Sequence, residues 1–150
     1  MASRRIEDLA PEFQPTIIAF EAELAKEGLS HFKRCCTYRS QAEQNALWLR
    51  GRRPLSIVNE AYKSVGLAPI TEAENKRSVT WRTISDHTGR LAVDYYVLKD
   101  GKYCDDIKVD VDKDSIPDWQ EFGAVAERCG LEWGGRWSKP DYPHVQKRRA

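Results

Sequence analysis

The sequence predicts an α+β fold: a single compact domain in which a small antiparallel sheet is flanked by helices. Three observations carry that prediction. Apolar residues recur at helical spacing towards both ends, at Leu9, Phe13, Ile17, Phe20 and Leu24 and again at Trp119, Phe122, Val125 or Ala126, and Cys129. Between them, Leu91 to Leu98 is rich in β-branched and aromatic residues and runs into the hairpin signal Asp100-Gly101. No repeat or linker divides the 150 residues, a length that gives one domain with a core of its own.

The first helix takes Pro11 or Pro15 in its opening turn and stops at Gly28. Phe32 to Tyr38 reads as a strand. Ser40-Gln41-Ala42-Glu43 has the form of a capping box, opening a helix that carries Leu47 and Trp48 and ends near Gly51. Ser56 to Val65 is expected to be a further helix, and residues 67–78, polar and weakly periodic, a loop. Thr80 to Ile84 and Leu91 to Leu98 are the best strand candidates, with Lys102–Val109 pairing back after the hairpin. The last helical stripe closes at Gly130, and Leu131 to Gln146 reads as short strands and turns.

Composition narrows the setting. The formal net charge of +1 gives no electrostatic case for nucleic acid or an anionic membrane. No stretch approaches the roughly 18–20 apolar residues of a membrane span, so no membrane anchor is expected. The N-terminus turns acidic at Glu7-Asp8, where a secretory signal would begin its apolar core, so synthesis in a cytoplasm without a signal peptide is expected. Cys35, Cys36, Cys104 and Cys129 contain no C-x-x-C and are expected to be free thiols. H-E-x-x-H, G-x-S-x-G and a phosphate-cradling glycine loop are all missing, which weakens the common rival hydrolase and nucleotide readings.

Two of the three histidines sit where chemistry is plausible. In the block Ser85 to Asp94, His87 lies in a turn and Asp94 in the strand that follows, with Gly89 permitting a sharp course between them. Ala92 shares a strand face with Asp94 and leaves room beside it. A carboxylate in an apolar strand is expensive to bury alone, so Asp94 needs either a metal or an arginine. Pro143 disfavours helix at Tyr142, so Asp141-Tyr142-Pro143-His144 is extended or turned. His87, Asp94 and His144 match the three protein ligands of a catalytic zinc, which leaves a fourth position for water. Asp141 remains as a base that takes a proton and returns it to a leaving amine.

These blocks resemble the zinc D,D- and L,D-peptidases, the family that includes the vancomycin-resistance carboxypeptidases, with the Hedgehog/D,D-peptidase-like fold. The nearest branch is the phage endolysins that are L-alanyl-D-glutamate peptidases. The resemblance begins at Tyr38-Arg39-Ser40 with Gln44 and Gly51-Arg52, and continues through S-x-H-x-x-G-x-A-x-D at 85–94. It ends with Gly130-Leu131-Glu132-Trp133-Gly134-Gly135, Trp137 and D-x-P-H at 141–144. Arg136 and Val145-Gln146 depart from it, standing where an acidic or polar residue and an aromatic are common.

Carried over by position, the resemblance implies a zinc ion on His87, Asp94 and His144 and an acid/base at Asp141. Arg39 is implied to stabilise the oxyanion or hold a substrate carboxylate, with Gln44 and Ser85 lining the pocket. The implied function is a phage endolysin hydrolysing the L-alanyl–D-glutamate bond of peptidoglycan stem peptides. It would be made in the host bacterial cytoplasm, act on periplasmic peptidoglycan after release, work as a monomer and carry no separate wall-binding domain. The alternatives are a D-alanyl-D-alanine carboxypeptidase or dipeptidase, and a catalytically inactive peptidoglycan-binding module of the same fold.

A second constellation stands apart. Asp110, Asp112, Asp114, Asp118 and Glu121 occupy positions one, three, five, nine and twelve of a calcium loop, with Ser115 where that loop prefers glycine and Pro117 at position eight. The segment reads either as a calcium site that orders the chain between Asp94 and His144 or as a solvated acidic connection.

Overall fold

Alternation along one strand organises the molecule. In the computed structural model, which describes residues 2–80 and 85–148, strand β2 spans Ala92–Lys99. Val93, Tyr95 and Val97 point to one face and are buried in the main core. Helices α1 (Gln14–Lys26) and α4 (Asp118–Arg128) cover that face. Phe20 of α1 meets Tyr95 edge-on at 5.6 Å between centroids and Phe122 of α4 at 5.3 Å, the arrangement that suits ring quadrupoles. Because side chains alternate, Ala92, Asp94 and Tyr96 point the other way, and that second face is left for chemistry.

Neighbouring strands extend the face. β1 (Phe32–Cys36) pairs antiparallel with one edge of β2. The other edge takes β5 (His144–Lys147) along Ala92 to Asp94 and β3 (Lys102–Cys104) along Val97 to Lys99. β4 (Leu131–Trp133) pairs with β5, giving the order β1-β2-β5-β4 with β3 off β2.

α2 (Gln41–Leu49) and α3 (Leu55–Ser64) build a second, smaller cluster around Ala46, Val58 and Tyr62. The Ser40 hydroxyl accepts the Glu43 N–H at 3.1 Å, as the capping pattern requires. The loop expected over 67–78 contains a short 3-10 turn at Glu74–Lys76, held because Asn75 accepts the Gly51 N–H and donates to the Arg53 carbonyl.

Three expectations shift. Leu9 is buried but precedes α1, which starts at Gln14 with Pro15 in its first turn. The strand after the hairpin stops at Cys104, short of Val109, because the chain turns at Asp106, whose carboxylate accepts the Lys108 N–H and whose carbonyl accepts the Val109 N–H. The left-handed residue before β2 is Arg90 (φ 62), not Gly89; its guanidinium lies over the Tyr38 ring at 4.0 Å and donates to the Asp8 carbonyl. The strand candidate Thr80 to Ile84 falls, from Trp81 on, outside the described residues.

Trp133 is clasped between glycines. A Cβ on Gly123 or Gly135 would lie 2.2 Å from its ring. Gly123→Ala gains about 0.8–1.0 kcal/mol of helix propensity. Overpacking costs about 1–3 kcal/mol, and a contact this close lies at the upper end. The variant is expected to be less stable than the parent, read as a lower urea midpoint.

Candidate metal centre and cleft

Sheet register brings the key side chains together. Asp94 of β2 is directly opposite Cys36 of β1 on one side and His144 of β5 on the other. His87 arrives from the preceding turn, where the Ser85 hydroxyl accepts the His87 N–H at 3.1 Å and the Arg39 N–H donates to the His87 carbonyl. The outcome is a carboxylate between two imidazoles. Asp94 Oδ2 lies 3.2 Å from His87 Nε2, and Oδ1 lies 3.0 Å from His144 Nδ1. The two rings meet edge to face at 5.0 Å.

Each imidazole is oriented by its second nitrogen. His144 Nε2 lies 2.7 Å from Gln146 Oε1, and the Gln146 amide nitrogen turns to Glu132 Oε2 at 3.4 Å, which also accepts the Trp137 indole N–H at 2.9 Å. A glutamine oxygen can only accept, so Nε2 carries the hydrogen and Nδ1 is left to face Asp94. On the other side, His87 Nδ1 lies 3.5 Å from Cys36 Sγ. Burial pushes the Cys36 thiol up to about 12, which keeps it a neutral neighbour of the ring.

Charge follows this geometry. Burial works against ionising Asp94, but His87 and His144 outweigh it and hold its carboxyl well below the usual carboxylate range. Burial likewise disfavours the charged His144, yet the hydrogen bond and charge of Asp94 raise its pKa. Asp141, with a side chain 49% exposed, reaches to 4.0 Å from His144 Nδ1. Its carboxyl is pushed up, first by burial and then by the charge of Asp94. Gly134 makes that position available: its carbonyl accepts the Asp141 N–H, and a Cβ there would lie 2.5 Å from the Asp141 carbonyl oxygen.

The donor set fits zinc. Two imidazole nitrogens and a carboxylate match a catalytic site of three protein ligands, and the proton His144 shares with Asp94 stands where a cation would compete. Metal-capable groups close enough to share an ion overlap here, with Cys36, His87 and Asp94 in one and Asp94, Asp141 and His144 in the other.

The centre opens into a cleft of about 680 Å³ lined by Arg39, Ser85, His87, Asp94, Trp137, Asp141 and His144 among others. Arg39 is fixed from behind by the first turn of α2. Its Nη1 donates to Gln44 Oε1 at 2.8 Å, and Nε lies 3.6 Å from Glu43 Oε2. Gln44 therefore does not line the cleft as expected. It is 0% exposed, and its amide nitrogen donates to the Thr80 hydroxyl, so its work is to hold the guanidinium. Ser85 does face the cleft.

Gln146 and Glu132 escaped the sequence reading. The available signal was His144-x-Gln146, which period two places on one face of a strand. Partners of a ligating histidine carry about 10–100-fold of metal affinity. Gln146→Leu is accordingly expected to weaken zinc binding about 10–100-fold, measured by competition with a chromogenic chelator.

The acidic residues of the second constellation also meet, away from the cleft lining. Asp110, Asp112 and Asp118 form one metal-capable group, and Asp112, Asp114 and Glu121 another. Burial and the hydrogen bond it donates to Asp110 push Asp112 up to about 6, and burial with the Asp114 contact pushes Glu121 up to about 7.

Asp94 and His144 on one sheet face, joined there by His87 from a turn, Asp141 from a loop and a fixed Arg39, with helices on the opposite face, give a small α+β fold with the side chains of a metallohydrolase. Residues 78–147 match a family model described as D-alanyl-D-alanine carboxypeptidase. A curated relative, the peptidoglycan L-alanyl-D-glutamate endopeptidase CwlK of Bacillus subtilis (strain 168), is 28% identical over 141 residues, 93% of this chain and 73% of that protein. The crystal structure of the Serratia marcescens L-Ala D-Glu endopeptidase ChiX shares the fold, with a TM-score of 0.55 at 18% identity over 99% of this chain and 89% of that one. The chain is thus similar to the D-alanyl-D-alanine carboxypeptidase family model over its second half and to an L-alanyl-D-glutamate endopeptidase along nearly its whole length, and it shares the fold of a second such enzyme.

Proposed function

We propose that this chain is a zinc endopeptidase that hydrolyses the L-alanyl–D-glutamate bond of peptidoglycan stem peptides. The observation that carries the reading is Asp94 held between His87 and His144, with Asp141 beside them in one cleft. The similarity to CwlK along nearly the whole chain supports the choice of bond.

His87, Asp94 and His144 would hold the zinc, which when bound supplies Lewis-acid polarisation of the scissile carbonyl and a nucleophile from water at neutral pH. Asp141 takes the proton of the attacking water and delivers it to the leaving amine, a role its raised pKa suits. Arg39 presents a guanidinium held from behind by Gln44 and Glu43, able to pair with a substrate carboxylate or the developing oxyanion. Trp137 packs against His144 at 5.1 Å and shields one side of the ring from water.

The phage endolysin role belongs to the same proposal, supported by the Tyr38-Arg39-Ser40 and Gln44 pattern of that branch. It entails action on periplasmic peptidoglycan after release from the host cytoplasm. The family model's description favours one second reading, removal of a terminal D-alanine. Mass spectrometry of purified peptidoglycan after digestion separates them. New free N-termini on D-glutamate support the endopeptidase, whereas release of D-alanine alone supports the carboxypeptidase.

A further inference from the structure

Independently of what the cleft does, the start of α4 is built like an ion-binding loop. Asp110 folds the chain around its own carboxylate: Oδ1 accepts the Asp114 N–H at 3.3 Å and Oδ2 the Ser115 N–H at 2.9 Å. Ser115 adopts φ +73 at the sixth position, where calcium loops place a glycine for the same turn. α4 then begins at Asp118, so Glu121, the twelfth position, falls in its first turn.

The decisive observation lies inside the loop. The Asp118 side chain is 0% exposed. Its Oδ2 accepts from His31 Nε2 and from the Val111 N–H, each at 2.8 Å. Its Oδ1 is sealed from solvent and has no hydrogen-bond partner, and the same holds for Glu121 Oε1. Asp118 offers a ligand oxygen within 4.8 Å of those of Asp110 and Asp112, and Glu121 one within that distance of Asp112 and Asp114. Ionised carboxylates donate nothing to one another, so a buried, partnerless oxygen on each of two carboxylates that belong to such groups calls for a cation.

We propose that residues 110–121 form a calcium site, with the carboxylates of Asp110, Asp112, Asp114, Asp118 and Glu121 as its ligands. Calcium is favoured over magnesium because it accepts six to eight oxygens in flexible geometry, whereas magnesium demands a small octahedron and keeps its waters. Such an ion ties the acidic loop to the first turn of α4. That helix carries Gly123 against Trp133, whose indole N–H donates to the Tyr142 carbonyl just before His144. Calcium therefore steadies the segment that bears Asp141 and His144 without touching the cleft.

The test uses the zinc-loaded full chain, freed of calcium with a calcium-selective chelator. Titration calorimetry with calcium chloride is expected to give one site per chain, with a dissociation constant between about 10⁻⁷ and 10⁻³ M. Terbium at the site is expected to luminesce on tryptophan excitation, through neighbouring Trp119, and to be displaced by calcium. Glu121→Gln and the exposed-site change Asp112→Asn should each weaken calcium binding at least tenfold while leaving the zinc content and near-ultraviolet circular dichroism unchanged. No saturable calcium or terbium signal at 10⁻² M, roughly ten times the weakest affinity of such sites, would overturn the proposal. So would parental affinity in both variants. Because zinc content is read separately, failure here leaves the peptidase reading standing, and failure of that reading leaves this one standing.

Discussion

Asp141→Ala is expected to keep its zinc and lose about 10²–10⁴ of turnover, the usual worth of a positioned acid/base. His144→Ala is expected to lose both metal and turnover. The contrast follows from placement. His144 shares the Asp94 carboxylate at 3.0 Å and has its tautomer set by Gln146, so its loss removes a donor and leaves Asp94 with a single imidazole. Asp141 stands further out, half exposed and 4.0 Å from the same nitrogen, within reach of a substrate. Metal content by elemental analysis and hydrolysis of purified peptidoglycan are the two readouts. Equal metal loss in both variants would contradict the assignment.

Arg39→Ala is the second large effect. Removing one preorganised donor to a developing oxyanion costs about 10²–10³ in rate. Arg39 is gripped by Gln44 and Glu43, so its guanidinium is already oriented before substrate arrives. Arg39→Lys is expected to recover little, because an ammonium cannot keep the Gln44 contact and also present a planar fork to the cleft. Zinc content should be unchanged in both. Full activity of the lysine variant would reduce Arg39 to a structural cation.

Much of this was legible in the chain. The stripe ending at Leu24, the Ser40 cap and the α4 stripe are local patterns of period and capping, and the elements form where those patterns lie. His87, Asp94 and His144 stood out because polar, metal-ligating side chains are rare in apolar or Pro-punctuated surroundings. Long-range partners were harder to read. Nothing near Gln44 announces a hydrogen bond to Thr80, 36 residues away, so a buried anchor passed for a residue of the cleft wall. Glu132 reaches Gln146 only because β4 and β5 pair in that register. Cys36 sits beside His87 through the β1–β2 ladder, which no local spacing reveals. Gly89 permits a sharp course before β2, but the positive φ falls on Arg90, whose stacking on Tyr38 is a tertiary contact no local pattern reveals.

X-ray absorption spectroscopy of the zinc-loaded protein tests the central claim most directly. The predicted first shell holds only nitrogen and oxygen, with two imidazoles and a carboxylate at about 2.0–2.2 Å from the zinc. A sulfur scatterer at about 2.3 Å would contradict it, since it would put Cys36 on the metal in place of one of the assigned ligands.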